Sequence, residues 1–340
     1  YIVAGVSSSK DGDVSGNKGT DDYWLVKVNG TGTIQWEKNY GGSGEESASS
    51  IQQTTDGGYI VAGSSYSTDG DVSGNNGFGG STDYWLIKLD ASGGIQWEKN
   101  YGGTNFDVAA SVQQTNDGGY IVAGETLSDD GDVSANNGQY DYWILKVDGS
   151  GNIQWEGNYG GSSFDKAKSV HQTADGGYIV AGESGSSDGD VSGNNGGADY
   201  WLVKLDGSGS ILWEGNYGGS DFDRATSVQQ ASDGGYIVAG TSRSSDLDVS
   251  ANKGKIDYWI LKLDGSGTIQ WERNYGGSDN DRARSIRPTA DGGYIVVGDS
   301  DSDDGDISGN TVFDDFWVLK LDGSGTTGVA DPNLELPIKL

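Results

Sequence analysis

Acidic residues in one recurring loop are the side chains of this sequence best suited to chemistry. The first copy reads Asp11-Gly-Asp-Val-Ser-Gly-Asn-Lys-Gly-Thr-Asp-Asp22, with oxygen-bearing side chains at positions 1, 3, 5, 7 and 12 and a glycine at position 6. Alternating oxygens can wrap a hard cation such as Ca²⁺, and a glycine permits the sharp turn between them. The pattern therefore predicts a calcium site in each copy of the loop.

The loop occurs six times and departs from an EF-hand in three respects. The closing acid is aspartate instead of glutamate, serine is a weak ligand, and alanine stands at position 6 in two copies, as Ala135 and Ala251. The alternative is a capped polar loop, in which Asp, Asn and Ser side chains bond nearby backbone amides. The predicted ligands, with an insertion before Asp83 in the second copy, are Asp11, Asp13, Ser15, Asn17, Asp22, Asp69, Asp71, Ser73, Asn75, Asp83, Asp130, Asp132, Ser134, Asn136, Asp141, Asp188, Asp190, Ser192, Asn194, Asp199, Asp246, Asp248, Ser250, Asn252, Asp257, Asp304, Asp306, Ser308, Asn310 and Asp315.

Two further recurring groups have structural explanations. An acid in the pattern Asp-x-Ala-x-Ser is expected to cap a turn or to bond between neighbouring repeats. Paired tryptophans could stack sugars as in lectins, but we expect them on facing positions of two strands in the core. The acids are Glu46, Asp107, Asp165, Asp223 and Asp281. The tryptophan pairs are Trp24/Trp36, Trp85/Trp97, Trp143/Trp155, Trp201/Trp213 and Trp259/Trp271.

Nothing in the sequence forms a single asymmetric catalytic set. His171 is the only histidine, there is no cysteine, and no carboxylate pair of the kind glycosidases use breaks the repeat symmetry. The sequence therefore predicts that the protein is not an enzyme. One asymmetry remains, because all six arginines lie between Arg224 and Arg287, where they could dock a partner or an anionic glycan or reflect neutral drift.

The elements that must position these residues recur with a period of about sixty residues. The anchor Tyr-Ile-Val-[Ala/Val]-Gly begins at Tyr1, Tyr59, Tyr120, Tyr178, Tyr236 and Tyr294. One repeat divides into four short strands, called A to D, separated by Gly-rich turns and one long polar B–C loop. In the fifth repeat the expected strands are A at 227–231, B at 236–240, C at 257–263 and D at 269–275. Four antiparallel strands per unit predict an all-β, six-bladed β-propeller with a repeat of about 58 residues, and a β-solenoid is the alternative.

Composition limits the partners. The net charge of −30 argues against nucleic acid and anionic membrane surfaces, and no apolar run is long enough to span a membrane. Without cysteine the protein has neither disulfides nor thiol chemistry. The chain contains no methionine and begins within a repeat, so we expect it to be processed or to be a fragment.

The repeat resembles a known bacterial family. Asp199-Tyr-Trp-Leu-Val-Lys-Leu, then Tyr217-Gly-Gly-Ser, then Asp233-Gly-Gly-Tyr-Ile-Val-Ala-Gly are similar to the SBBP β-propeller repeat. Gly328 to Leu340 is similar to the lead-in to a type IX secretion C-terminal sorting domain, although the Asn-Tyr-Pro-Asn-Pro-Phe stretch of that domain is absent. These resemblances imply a propeller in a protein that is secreted or held at the cell surface.

The sequence thus predicts a propeller over residues 1–325, with incomplete first and last repeats, and a tail or linker over 326–340. The alternation of Leu334, Leu336 and Ile338 with polar residues makes the tail a candidate for the missing outer strand. Strand addition between molecules is the alternative, and it would allow self-assembly. The expected function is a non-catalytic structural or adhesive surface protein stabilised by calcium, with a carbohydrate-binding lectin as the alternative and with copies of itself or surface glycans as partners.

Overall fold

We describe a computed structural model over residues 1–77, 80–307 and 315–327. These residues form 22 β-strands. They contain no helix that is long and apolar enough to cross a bilayer. The chain separates into two compact units, Tyr1–Tyr159 and Gly160–Leu340.

The first unit contains three antiparallel sheets, which we call blades 1 to 3. Their strand orders are β1-β2-β3, β4-β5-β6-β7 and β8-β9-β10-β11. Each complete blade therefore runs A, B, C, D in chain order. The bounds are β1 Ile2–Ser7, β2 Asp22–Val28, β3 Ile34–Tyr40, β4 Glu46–Gln53, β5 Tyr59–Ser65, β6 Asp83–Leu89, β7 Ile95–Tyr101, β8 Asp107–Gln114, β9 Tyr120–Thr126, β10 Asp141–Val147 and β11 Ile153–Tyr159.

The second unit contains blades 4 to 6, with orders β12-β13-β14-β15, β16-β17-β18-β19 and β20-β21-β22. The six sheets of four or three antiparallel strands confirm the all-β, six-bladed β-propeller class. The predicted closing strand at Leu334–Leu340 lies outside the described residues. The bounds are β12 Asp165–Gln172, β13 Tyr178–Ser184, β14 Asp199–Leu205, β15 Ile211–Tyr217, β16 Asp223–Gln230, β17 Tyr236–Ser242, β18 Asp257–Leu263, β19 Ile269–Tyr275, β20 Asp281–Pro288, β21 Tyr294–Ser300 and β22 Asp315–Leu321.

Strand A is longer than its sequence pattern indicates. In blade 5 the sequence predicts that strand A starts at Ser227, but β16 begins at Asp223. The register with β17 shifts between Ala225 and Ser227, which is a β-bulge. A bulge places two residues opposite one and interrupts the period of two, so the pattern does not reveal the first half of the strand.

Tyrosine–tryptophan contacts join one blade to the next. Tyr84 in strand C of blade 2 donates a hydrogen bond to the carbonyl of Trp143 in blade 3, at 3.0 Å. The two ring centroids are 4.5 Å apart. Tyr101 at the end of strand D donates to the carbonyl of Gly151, in the C–D turn of blade 3, at 2.6 Å. Buried aromatic contacts of this kind hold neighbouring blades in register.

Contrary to the expectation from the sequence, the two tryptophans of a blade do not face each other. Trp85 pairs across the sheet with Asn100, whereas Trp97 pairs with Lys88. Because successive residues of a strand point to opposite faces, Trp85 and Trp97 lie on opposite faces of blade 2. The core assignment is confirmed for strand C, where Trp85 is fully buried. Trp97 is half-buried and packs edge-on against Tyr120 of blade 3.

Candidate functional site

The first acids of the B–C loop cap the turn that leads into their own blade. Asp69 accepts a hydrogen bond from the backbone N–H of Ser43 at 2.7 Å. Asp71 accepts one from the N–H of Gly41 at 3.1 Å, and the N–H of Asp71 donates to the carbonyl of Gly41 at 2.9 Å. The same contacts recur at Asp130/Asp132, Asp188/Asp190, Asp246/Asp248 and Asp304/Asp306.

The middle of the loop has a different set of contacts. The amide of Asn75 donates to the carbonyl of Ser65 at the end of strand B, at 2.7 Å. Ser73 is exposed, as are Asp11 and Asp13 in the first loop. The asparagine contact recurs at Asn17, Asn136, Asn194 and Asn252. Ser308 and Asn310 lie outside the described residues.

The closing acid of a loop lies beside the turn that leads into the next blade. One oxygen of Asp83, Oδ2, accepts from the N–H of Asn76 at 2.6 Å. The other, Oδ1, is buried and has no hydrogen-bond donor. It lies 2.7 Å from the position that a Cβ on Gly102 would take, and Asp107 Oδ2 lies 2.5 Å from the same point. Asp22, Asp199 and Asp257 repeat this arrangement with an unpaired Oδ1.

We call each meeting of a closing acid, the next turn and the next Asp-x-Asp pair a junction. In the loops of blades 2, 4 and 5 the carboxylates therefore do not gather around one point, since the first acids and the closing acid of a loop belong to different junctions. Within the ranges described, no group of three or more His, Asp or Glu is arranged to hold a metal ion. The observed hydrogen bonds fit the capped-loop alternative, and calcium binding stays a prediction.

Burial makes three of the closing acids unusually basic. It raises the pKa of Asp83 to about 7, because the charged form loses hydration and Asp107 and Asp132 lie nearby. The N–H of Asn76 acts in the opposite direction. Burial also raises the pKa of Asp199 and of Asp257 to about 6.

In two junctions a lysine ammonium pairs with an acid, and in two others an asparagine amide contacts the turn. The Lys18 ammonium pairs with Asp71, and the Lys253 ammonium pairs with Asp306. At the equivalent position, the Asn76 amide donates to the carbonyl of Gly102 at 3.3 Å. Asn195 makes the corresponding contact with Gly218. The junctions with asparagine therefore hold more uncompensated negative charge.

The acid of the Asp-x-Ala-x-Ser pattern caps a turn, as predicted. Asp107 Oδ2 accepts from the N–H of Gly103 at 2.8 Å and from the hydroxyl of Ser128 at 2.9 Å. The glutamate of strand D also has a structural partner, because Glu98 accepts from the indole of Trp85 at 2.9 Å. Neither acid is placed as an isolated catalytic carboxylate.

Sequence reasoning missed a buried lysine on strand C. Lys88 is 4% exposed, and its ammonium pairs with Asp56 of the A–B turn at 2.8 Å and donates to the carbonyl of Leu89 at 3.0 Å. A lysine inside an otherwise apolar strand was the available signal. The pair recurs as Lys146–Asp117, Lys204–Asp175 and Lys262–Asp233.

No protein-family profile matches the chain. The regulatory protein FlaEY of Caulobacter vibrioides is 29% identical over 163 residues, which are 44% of this chain and 17% of that protein. The chain thus matches only about a sixth of the length of this relative.

Three solved structures are similar at low identity. A Bacteroides caccae protein of unknown function covers 95% of this chain, and 92% of its own length is covered, at 13% identity and a TM-score of 0.49. The Neurospora crassa Pan2 WD40 domain covers 82% of this chain and 64% of its own, at 12% identity and a TM-score of 0.48. The match to a levansucrase variant from B. megaterium covers 90% of this chain and 88% of the levansucrase, at 12% identity and a TM-score of 0.38.

Proposed function

We propose that this protein is a non-catalytic propeller that acts as a structural or adhesive module, secreted or at the cell surface. The observation that supports this proposal most is that the recurring polar side chains form hydrogen bonds with turns of the fold. Among the described residues, the recurring carboxylates bond backbone amides and hydroxyls of adjacent turns, as Asp107 does with Gly103 and Ser128. Such bonds stabilise a rigid body and do not assemble a reaction centre.

Localisation and turnover test this proposal separately. Cells that express the natural protein are treated with an external protease, and the protein should be cleaved while a cytosolic marker stays intact. Protection equal to that of the cytosolic marker contradicts the surface assignment. The purified protein is also incubated with a panel of polysaccharides, and released sugar at a constant rate contradicts the non-catalytic assignment.

Self-assembly is part of the same proposal. In the part of the chain described, β22 pairs with β21 alone among the strands. Phe316 on β22 is 85% exposed. An open strand edge with an exposed aromatic side chain can accept a strand from another molecule. Light scattering should show a mass that rises with concentration, and replacing Phe316 with lysine should reduce it. A monomer at every concentration contradicts self-assembly.

Calcium as a stabilising cofactor is tested by adding and removing the ion. A site held at about one hundred times its dissociation constant adds about 2.7 kcal/mol to the free energy of unfolding. Calcium should then raise the melting temperature more than NaCl of equal ionic strength, and a chelator should reverse the gain. If calcium raises the melting temperature no more than NaCl does, the loops are capped turns without a calcium site.

The variant Asp69→Asn separates the two interpretations. Asparagine keeps an oxygen that can accept from the N–H of Ser43 but removes the charge that attracts a cation. If calcium binds, the variant loses part of the calcium-dependent gain in melting temperature. If the loop is only capped, the melting temperature without metal and the response to calcium stay close to those of the parent.

A carbohydrate-binding role is the second candidate. Tyr66 in the B–C loop of blade 2 and Phe106 in the following turn are 38% and 39% exposed, and their rings meet edge-on at 6.4 Å. Exposed aromatic rings can stack on sugar faces. Binding on a glycan array that is lost in Phe106→Ala, with an unchanged melting temperature, favours this role. An array without signal opposes it.

A further inference from the structure

The arginine-rich part of the chain surrounds a cavity in the second unit. The cavity has a volume of about 410 Å³, and its lining includes Arg224, Arg243, Arg282, Arg284, Glu183 and Phe222. These residues come from strands A and B and from the adjoining turn and loop of blades 4, 5 and 6. Four guanidinium groups in one cavity contrast with the net charge of −30 of the whole chain.

Three carboxylates, Glu183, Asp299 and Asp301, neutralise part of this charge, the last of them 3.8 Å from Arg282. Arg224 Nε donates to Glu183 at 2.6 Å, and the Glu183 side chain is only 4% exposed. Arg284 Nε donates to Asp299 at 2.7 Å, and Arg282 donates to the other oxygen of Asp299 at 3.1 Å. Arg224 and Arg284 are thus held through Nε, while their side chains remain 56% and 61% exposed.

Arg243 has a different environment. Its guanidinium carbon lies 6.0 Å from the centre of the Phe222 ring. Among the described residues, no carboxylate lies within ion-pair distance of Arg243. Phe222 itself is 48% exposed. The cavity therefore combines a guanidinium without an acidic partner, three arginines paired with carboxylates and an accessible aromatic ring.

From this arrangement we infer that the cavity binds an acidic saccharide unit, one that carries a carboxylate or a sulfate group. Guanidinium groups bind planar and tetrahedral oxyanions through paired N–H donors. Phe222 offers an apolar face for a sugar ring. The volume suits a small ligand. An extended polyanion such as nucleic acid is disfavoured, because the remaining surface is strongly acidic.

Calorimetry with three probes tests the ligand class. The probes are a uronic acid disaccharide, a neutral disaccharide of the same size, and inorganic sulfate. We expect the uronic acid disaccharide to bind, the neutral sugar not to bind, and added salt to weaken binding. Binding of sulfate without binding of the acidic disaccharide overturns the saccharide assignment. Equal binding of the neutral sugar overturns the role of the arginines, and no binding of any probe overturns the site.

Matched arginine variants locate the binding. Arg243→Gln should weaken binding about tenfold or more, because it removes a charged donor without stranding an acid. Arg224→Gln should have a similar effect, although it leaves the buried Glu183 unpaired and can also lower stability. Arg273→Gln is the control, since Arg273 is exposed on strand D near Trp271, away from the cavity lining. If Arg243→Gln binds the acidic disaccharide as tightly as the control Arg273→Gln, the ligand does not bind in this cavity.

This inference does not rest on the surface localisation or on calcium. A cytosolic protein could still bind an acidic sugar in this cavity, and a surface protein could fail to bind one. The two sets of experiments therefore fail independently.

Discussion

At the scale of single residues, one loop carries backbone strain that the other loops avoid. The residue between the first two acids is glycine in five repeats, for example Gly131 with φ of 68°. In the fifth repeat it is Leu247, with φ of 56°, the only residue other than glycine with positive φ among those described. The contact beside it is also longer. Asp248 N–H lies 3.3 Å from the carbonyl of Gly218, against 3.0 Å for Asp132 and Gly102.

Leu247→Gly should therefore stabilise the protein. A left-handed conformation costs a residue with a Cβ about 1–2 kcal/mol, and the added chain entropy of glycine offsets part of the gain. We expect a rise of about 1 kcal/mol in the free energy of unfolding, measured by chemical denaturation. Leu212→Gly is the control, because Leu212 is an exposed strand residue without positive φ and should lose about 0.5–1 kcal/mol. A loss of stability in Leu247→Gly contradicts the strain argument.

The positions of single side chains were only partly predictable from the sequence. The acidic loops were visible as a pattern, and the turn-capping role of Asp107 was expected. The partners of Asp69 and Asp83 were not predictable, because two carboxylates of the same loop accept hydrogen bonds from different segments of the chain. Spacing within one loop cannot show which turn each oxygen faces.

At the scale of elements, the strand C tyrosines connect blades through one hydrogen bond and one ring contact. The Tyr84 hydroxyl is buried and donates to Trp143. Tyr84→Phe keeps the ring contact and removes the hydrogen bond, so it should lower the free energy of unfolding by about 1 kcal/mol. Tyr66→Phe is the control at an exposed tyrosine and should change it by less than about 0.5 kcal/mol. Equal changes in both variants contradict an inter-blade role for the Tyr84 hydroxyl.

The closing acids and the A–B turn acids that pair with strand C lysines predict opposite responses to pH. Asp83 has a raised pKa of about 7 in the folded protein, so the stability linked to its protonation is present below pH 4 and is lost as the pH rises through 7. Asp117 behaves in the other direction. Although burial would raise its pKa, hydrogen bonds from Thr115 and Lys146 hold the pKa at about 2, so its contribution is lost as the pH falls from about 4 towards 2.

The melting temperature should therefore rise when the pH falls from 8 to about 5 and should drop again below about 4. Scanning fluorimetry across this range measures the profile. Asp83→Asn should flatten the alkaline side, whereas Asp117→Asn should flatten the acidic side. A melting temperature that rises steadily towards alkaline pH contradicts the raised pKa of the closing acids.

Strand order and bounds were the most predictable elements. Strands C and D of blade 5 were expected at Asp257–Leu263 and Ile269–Tyr275, and they are found there. Strand C contains a continuous apolar run, strand D alternates Ile269, Trp271 and Tyr275 with polar residues, and a Gly-rich turn separates the two strands. Strand A was misplaced at its start, because a bulge at Ala225 breaks the alternation.

At the scale of the whole molecule, the net charge of −30 opposes compactness through self-repulsion. Raising NaCl from about 0.01 M to about 0.15 M shortens the Debye length from about 30 Å to about 8 Å. The melting temperature should rise over this range. Choline chloride is the control, because its bulky cation cannot enter a carboxylate site. A rise with NaCl but not with choline chloride points to specific cation binding instead of screening.

The fold class was predictable because a period of about 58 residues can be read without local structure. The arginine cavity was predictable only as an asymmetry of composition. Arg224 and Arg284 are 60 positions apart, and the strand pairing within single blades does not relate them. Their shared cavity follows from how blades 4, 5 and 6 pack, which no pattern within one repeat encodes.

The division of the loops of blades 2, 4 and 5 between two junctions each has a consequence for protein engineering. A unit cut from one tyrosine anchor to the next takes Asp69 and Asp71 along but leaves behind their partners, Ser43 and Gly41. Insertion or deletion of such a unit preserves these contacts only when the flanking turns have the same sequence. Shuffling of repeats in this scaffold is therefore best done with cassettes that begin at the Gly-Gly turn, so that each acid travels with the amide it caps.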